Sequence, residues 1–512
     1  MPDTPTRRQA LRRLTTALLS SGVYPLFTAV GGPPTQPGTP DFAPVRRRIG
    51  QALAQGEATG VAVAVVHAGR IVWEEGFGWA NQAAGLRATP QTPFLASLTK
   101  PVTATLLMTL VAEGKLALDE PANTYLGASL LLGTNGPTAA ATVRLLGAHA
   151  AGLPPLFHQY GPEEAGLAPT PDAVLRDYGQ LAFPAGACYD YSNVGFAALG
   201  AIATQVTGQD VGKLLTARVL RPLGMQDSVF SPQLAQRPAC AVGYDEQGVA
   251  LPFYITATPA SGELFASAHD MARFARFNLA GPASGQQRML PAHWLGELHR
   301  PVLRGSSPVA AAFGWFVARR PSGSPVLFKH GGQPGVSTLL YVLPHEQLAC
   351  VVLTNRTNGQ ALAQQVCNQV LTGYLPDWQP PQETVDLPPV AVSVAALPVE
   401  VRGSWEGALT GGGAHTRVRL RLVPGEAPTL GMGAQPAVPL RELQREGATY
   451  VGQTTGLVDA AEARRTGATE LRLKLLPTGG RLVGRILAVG RKPGHAPHAL
   501  LPFTLTLTRV AE

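Results

Sequence analysis

Residues 60–77 read GVAVAVVHAGRIVWEEGF, and this stretch decides how the chain folds. Two runs, 60–67 (GVAVAVVH) and 71–77 (IVWEEGF), are rich in β-branched and apolar residues, with Ala68, Gly69 and Arg70 between them. Such side chains pack well on a pleated surface and Gly permits a reversal, so the stretch predicts a hairpin. Moving outward, Leu98, Val102, Leu106, Leu110 and Val111 recur at helical spacing, and Gly114 is a natural stop. This predicts a helix over 97–115. A second apolar helix is expected over 194–207, closed by Gly208, and a third over 268–279. Residues 338–343 (TLLYVL) and 348–354 (LACVVLT) then read as strands joined through Pro344, His345 and Glu346, with a helix following over 359–373. Strands at both ends with helices between them predict an α+β fold. One antiparallel sheet, flanked by helices and a helical region, has its first and last strands side by side.

Both flanks differ in composition. Residues 375–398 hold six prolines and read as a linker that ends a domain spanning 39–374. Beyond it, residues 416–423 (TRVRLRLV), 470–476 (ELRLKLL) and 503–510 (FTLTLTRV) alternate apolar and polar residues, as half-buried antiparallel strands do. Residues 399–512 are therefore expected to form an all-β domain, a small barrel or sandwich. At the other end, residues 6–13 (TRRQALRR) precede an apolar stretch over 14–30. A basic segment before a moderately apolar one is laid out as an export signal, and Arg7-Arg8 with Leu11 is similar to a twin-arginine signal. Residues 1–38 are read as signal and linker, which predicts a periplasmic or extracellular protein. Membrane attachment would follow only if that segment stays uncleaved.

The net charge of +8 invites a nucleic-acid reading. Yet the basic excess sits in residues 1–48 and in residues 397–512, the latter with 15 basic and 9 acidic groups. In the C-terminal part the basic residues alternate with apolar ones, the pattern of a solvated strand face, so no nucleic-acid partner is expected. The four cysteines, Cys188, Cys240, Cys350 and Cys367, are far apart, and no CxxC or HExxH occurs. No metal and no organic cofactor are expected.

Three constellations can carry chemistry. Ser97 and Lys100 are three residues apart, so on one helical turn both side chains can enter the same site. A serine hydroxyl is a weak nucleophile until a base removes its proton, and a lysine of lowered pKa can be that base. Tyr191, Ser192 and Asn193 stand just before the helix at 194. Tyr191 can relay a proton, Asn193 offers a donor and an acceptor, and Ser192 or Asn193 also suits a helix N-cap. His330, Gly331 and Gly332 end the strand VLFKH (326–330), where two glycines let a substrate lie against the strand edge. The amide of Gln333, with that of Ser97, could then donate to an oxyanion. Each motif alone has a plain structural reading.

Their order and spacing resemble the class C β-lactamase-like serine hydrolases, a family of β-lactamases, D-alanyl-D-alanine carboxypeptidases, D-aminopeptidases and esterases. Supporting stretches are 145–154 (LLGAHAAGLP), 221–230 (RPLGMQDSVF) and 260–274 (ASGELFASAHDMARF). The resemblance spans residues 45–373. It implies a β-lactamase/DD-peptidase-like domain followed by a lipocalin-like β-domain that caps the site or joins subunits. It also implies that Ser97 is the acyl-enzyme nucleophile, that Lys100 and Tyr191 are the general-base pair, and that Asn193 orients the substrate amide and Lys100. His330 would stand where many members carry the lysine of Lys-Thr-Gly, with Gln333 at the oxyanion hole. A histidine there removes a permanent cation for a substrate carboxylate, which favours an esterase or a hydrolase of D-residue peptides, cell-wall derived or not, over a penicillin-binding carboxypeptidase or a β-lactamase. An inactive cell-wall-binding module is the remaining alternative. Pro101, inside the first turn, would cost the helix a bond to the Ser97 carbonyl unless that turn is irregular. No GxSxG occurs, which excludes the α/β-hydrolase reading.

Overall fold

A computed structural model describes residues 40–95, 97–133, 136–230, 240–279, 289–491 and 497–510. The export signal read in residues 1–38 lies outside the described residues. In chain order, the elements that position the site begin with α1 (Ala43–Ala54), β1 (Gly60–His67), β2 (Arg70–Asn81) and α2 (Thr99–Ala112). They continue with β3 (Phe157–Tyr160), α3 (Asn193–Thr207), α4 (Ala268–Asn278), β4 (Phe316–Arg319), β5 (Pro325–Gln333), β6 (Val336–Leu343), β7 (Leu348–Thr354) and α5 (Gln360–Tyr374). The C-terminal strands are β8 (Gly403–Gly411), β9 (Ala414–Leu422), β10 (Arg441–Glu446), β11 (Thr449–Thr455), β12 (Glu470–Thr478), β13 (Arg481–Gly490) and β14 (Ala499–Arg509).

The hairpin β1–β2 turns at Ala68 (φ 48°) and Gly69 (φ 76°), two left-handed residues in a row. That handedness matches the twist of the flanking strands. β1 pairs on its other side with β7, Val61 opposite Thr354, so the first and last long strands of the sheet do meet. The order across the sheet is Leu303–Arg304, Ala310–Ala311, β4, β5, β6, β7, β1, β2, Leu86–Arg87. β1 is buried on both faces. Val61, Val63 and Val65 pack with α1 and α5 through Ile49 and Val366, while Ala62, Ala64 and Val66 face the helical region. Each fully buried Val or Ile contributes roughly 1.5–3 kcal/mol, which is why this strand tolerates no polar side.

α2 is buried almost all round, as a helix apolar on every face must be. It begins at Thr99, two residues later than expected. Pro101 therefore falls among the first-turn nitrogens, which have no intrahelical partner, and costs no bond. The Lys100 amide instead closes a turn onto the Ser97 carbonyl at 3.1 Å. α3 opens with Ser192 as N-cap, its Oγ accepting from the Gly195 amide, and closes at Gly208 with φ 68°.

The C-terminal region is an antiparallel sheet that curls round its own core into a half-barrel. Its order is Val390–Ala391, β10, β11, β12, β13, β14, β8, β9, Thr429–Met432, Val438–Pro439. Val418, Leu420 and Leu422 of β9 point inward. Arg417, Arg419 and Arg421 point outward and pair with Glu406 and Glu426. Residues 40–512 form one compact unit. β14 also pairs with β3, Ala499 opposite His158, so the curled sheet is hydrogen-bonded directly to the loop region of the preceding domain. Within the proline-rich segment, Val385 is fully buried and its carbonyl accepts from the Ser307 amide. No helix among the described residues is long and apolar enough to cross a membrane.

Candidate active site

Ser97 stands in the turn between the short strand Phe94–Leu95 and α2. Its side chain is nearly buried, at 8% exposure, and Lys100 is wholly buried. The Lys100 ammonium nitrogen lies 3.4 Å from Ser97 Oγ and donates to the Ser261 carbonyl at 2.8 Å. It also stands 4.7 Å from the centre of the Tyr191 ring. Tyr191 hydrogen-bonds Ser97. The turn before α3 and the first turn of α2 thus bring Ser97, Lys100 and Tyr191 into one cluster.

The cluster rests on His149, at the C-terminal end of a short helix. Its ring stacks on Tyr191 at 4.2 Å, and its Nδ1 accepts from the Ser192 amide at 3.0 Å. With Nδ1 an acceptor, the ring is a neutral platform. Burial, with Lys329 and Lys100 nearby, holds the His149 pKa well below the ordinary value. Asn193 donates to the Leu156 carbonyl at 2.7 Å. It is therefore committed to the segment leading into β3, and the lysine's own partners are Ser97 and Ser261, so the expected orientation of Lys100 by Asn193 is replaced.

The strand β5 overturns two expectations. Side chains alternate along a strand, and His330 falls on the face of Phe328, where its ring stacks on Phe316 at 5.4 Å. Lys329, one residue earlier, falls on the opposite face, towards the helical region. Its Nζ reaches to 4.9 Å from the Tyr191 ring and 4.3 Å from the Phe316 ring, and it has no hydrogen-bond partner. The amine the site receives from β5 is therefore Lys329, and His330 is not in the position of that lysine. A lysine inside an otherwise apolar buried strand was the sequence signal for it.

The second correction concerns Gln333. β5 and β6 are joined by Pro334 and Gly335, and Gln333 pairs directly with Val336. In a two-residue hairpin that closing pair exchanges backbone bonds, so the Gln333 amide turns into the ladder. The next residue back, Gly332, turns its amide to the other edge, which is open because β4 pairs with β5 only over Pro325–Phe328. Gly332 is exposed, and a side chain there would meet nothing within 4 Å. The Gln333 side chain is instead held by Tyr254 (3.2 Å) and Gly262 (3.5 Å).

The electrostatics follow from two buried amines side by side. Burial, reinforced by Lys329, lowers the Lys100 pKa well below 10.5. Burial lowers Lys329 to about 7, and burial with both lysines lowers His330 to about 4. The Tyr191 phenol is raised by burial, against the opposing pull of its Ser97 hydrogen bond. The arrangement can supply a neutral amine next to a serine hydroxyl, with a neutral phenol able to pass a proton between them. At the turn between β5 and β6, an apolar cavity of about 330 Å³ is lined by Phe94, Val242, Leu251, Phe253, Tyr254 and Val336, among others. No group of three or more acidic, His or Cys residues able to hold a metal occurs among the described residues.

Sequence reasoning missed one further feature. Asp190, adjacent to Tyr191, is buried and makes a bidentate pair with Arg485 of β13, both bonds 2.7 Å. Lys474 of β12 donates to the Tyr189 carbonyl at 3.2 Å and pairs with Glu446 at 2.9 Å.

A family model described as Beta-lactamase matches residues 45–366. Among curated proteins, the chain is 25% identical over 312 residues to Protein flp of Staphylococcus aureus, covering 59% of this chain and 61% of that protein. The chain thus spans about three-fifths of the length of that relative. Among solved structures, SurE with D-Leu superposes with a TM-score of 0.61 at 22% identity, covering 90% of this chain and 98% of the other. The octameric penicillin-binding protein homologue from Pyrococcus abyssi gives 0.57 at 19% identity, covering 91% and 100%. These two likenesses concern the fold, and they extend through the curled C-terminal sheet.

Proposed function

Because the chain belongs to the β-lactamase family of serine hydrolases, we propose that it cleaves an ester or a D-residue amide through a Ser97 acyl-enzyme. The observation that carries this is the packing of Ser97 Oγ against a fully buried Lys100, 3.4 Å away, with Tyr191 bonded to the same serine. Burial, with Lys329 beside it, holds the Lys100 pKa well below the ordinary 10.5, so this amine gives up its proton more readily than a free lysine and, once neutral, can accept the serine proton. Ser97 Oγ attacks the substrate carbonyl, and its proton passes to Lys100. The carbonyl oxygen takes the negative charge and is met by the amides of Ser97 and Gly332. As the tetrahedral intermediate collapses, the bond to the leaving group breaks, and the proton returns through Tyr191 to that group. Water then repeats the sequence, with the same base, to release the acid.

The apolar cavity at the β5–β6 turn, which follows Gly332 closely in sequence, supports a substrate that carries an apolar group. The structural neighbour SurE was solved with D-Leu, which is in keeping with a D-residue substrate here. A second reading, a penicillin-binding carboxypeptidase or a β-lactamase, is favoured by Lys329, which supplies the amine that a histidine could not. The N-terminal segment supports an exported protein acting on a small ester or peptide. Turnover of p-nitrophenyl esters and of D-aminoacyl amides, run beside a penicillin, separates these readings. Rapid ester or D-amide turnover without a penicillin adduct supports the first. A long-lived penicillin adduct, or rapid penicillin hydrolysis, moves the assignment to the second.

A further inference from the structure

The C-terminal sheet reaches the candidate site from two sides, which is more than a passive appendage requires. On one side, Asp190 is the backbone neighbour of Tyr191 and only 4% exposed. Both its carboxylate oxygens accept from Arg485, itself buried in the middle of β13. The Lys474 ammonium sits 3.7 Å from the same carboxylate and holds the carbonyl of Tyr189. Residues 189 and 190, immediately before the phenol, are thus gripped by two cations of the curled sheet. On the other side, β14 pairs with β3. The residue just before β3, Leu156, provides the carbonyl that fixes Asn193.

Two buried cations and two buried or half-buried carboxylates are an expensive way to join two domains, because apolar packing would do so without desolvating charge. What a bidentate guanidinium–carboxylate pair adds is geometry, since its two parallel bonds fix orientation as well as distance. The group so fixed carries Tyr191. We propose that Arg485, assisted by Lys474, is a positioning residue for acylation: by locking Asp190 it sets the backbone from which the Tyr191 hydroxyl reaches Ser97. The C-terminal sheet is then an obligatory part of the working site. This rests on the reading of Ser97 and Tyr191 given above.

The test uses the full-length chain and a fluorophosphonate probe, followed by intact mass, with the saturating labelling rate separated from the half-saturating concentration. Displacing a catalytic group by about 1 Å costs on the order of 100-fold. Arg485→Met should therefore lower the saturating rate at least tenfold and change the half-saturating concentration less than threefold. Arg485→Lys, which keeps the charge but not the fork, should fall between. Asp190→Asn should produce the same loss, and Asp190→Asn with Arg485→Met should be no slower than either alone, because both act through one contact. Arg421→Met, at an exposed pair on the same sheet, should label like wild type. If Arg485→Met does not fold, Arg485→Lys and Asp190→Asn decide by the same comparison. Labelling of folded Arg485 variants at the wild-type rate would overturn the positioning role. Absence of Ser97 labelling in wild type would instead overturn the site assignment on which it rests.

Discussion

Lys329→Met should make the protein more stable and less active, and the structure gives the size of the first effect. Lys329 is 1% exposed, has no hydrogen-bond partner and is held at about 7 by burial, against an ordinary 10.5. Each tenfold change in proton affinity is worth about 1.4 kcal/mol, so the protonated side chain penalises folding by up to about 5 kcal/mol. Below pH 7 the amine is protonated in both the folded and the unfolded chain, and the penalty is complete. Between pH 7 and 10.5 the folded chain has shed the proton while the unfolded chain keeps it, so the penalty fades as pH rises. Methionine has similar length and no charge. For a unit the size of residues 40–512, unfolding entropy near 1 kcal/mol/K turns that penalty into roughly 4–5 °C of Tm. Thermal unfolding of wild type and Lys329→Met should therefore show the variant higher by several degrees at pH 6, with the gap at least halved by pH 9. Activity should move the other way. Because Lys329 helps depress Lys100, its loss should also shift the rising limb of the acylation pH profile to more alkaline pH. A variant no more stable than wild type at pH 6, or a gap that does not change with pH, would refute the reasoning.

Tyr191→Phe keeps the ring stacked on His149 but removes the hydroxyl bonded to Ser97. Acylation should fall by about 10²–10⁴ with little change in Tm, as read by stopped-flow ester hydrolysis and calorimetry. His330→Ala should reduce kcat less than Lys329→Met does, because it is Lys329 whose amine stands 4.9 Å from the Tyr191 ring; steady-state kinetics of both variants decide this. Cys188 has its thiol pushed up to about 12, chiefly by burial, and packs against Leu476 of the C-terminal sheet. Iodoacetamide at pH 8 should leave it unmodified in the native chain and leave activity intact, as peptide mapping would show.

The α+β core was legible because its signals are periodic. β1, α2, α3 and β7 each bury a continuous apolar pattern, and the pairing of β1 with β7 follows once both strands are recognised. The serine, lysine and tyrosine were legible because their spacing is local to helix starts. What failed to read through was parity. On a strand, one residue's shift exchanges faces, so naming His330 and Gln333 in place of Lys329 and Gly332 reversed both the side chain and the amide offered to the site. The contact between Asp190 and Arg485 spans 295 residues of sequence. No periodicity encodes such a pairing, although an arginine between the apolar residues LV and ILAV of β13 signalled that a buried partner must exist. Pro101 misled for a different reason: its cost depends on where a helix begins, and the start at Thr99 removed it.

The central claim is that Ser97 is the acyl-enzyme nucleophile. The direct measurement is intact-protein mass spectrometry of wild type and Ser97→Ala after incubation with a fluorophosphonate. The account predicts one adduct on wild type, mapped to the peptide containing Ser97, and none on Ser97→Ala. An equal adduct on Ser97→Ala, or none on the folded wild-type chain, would contradict it.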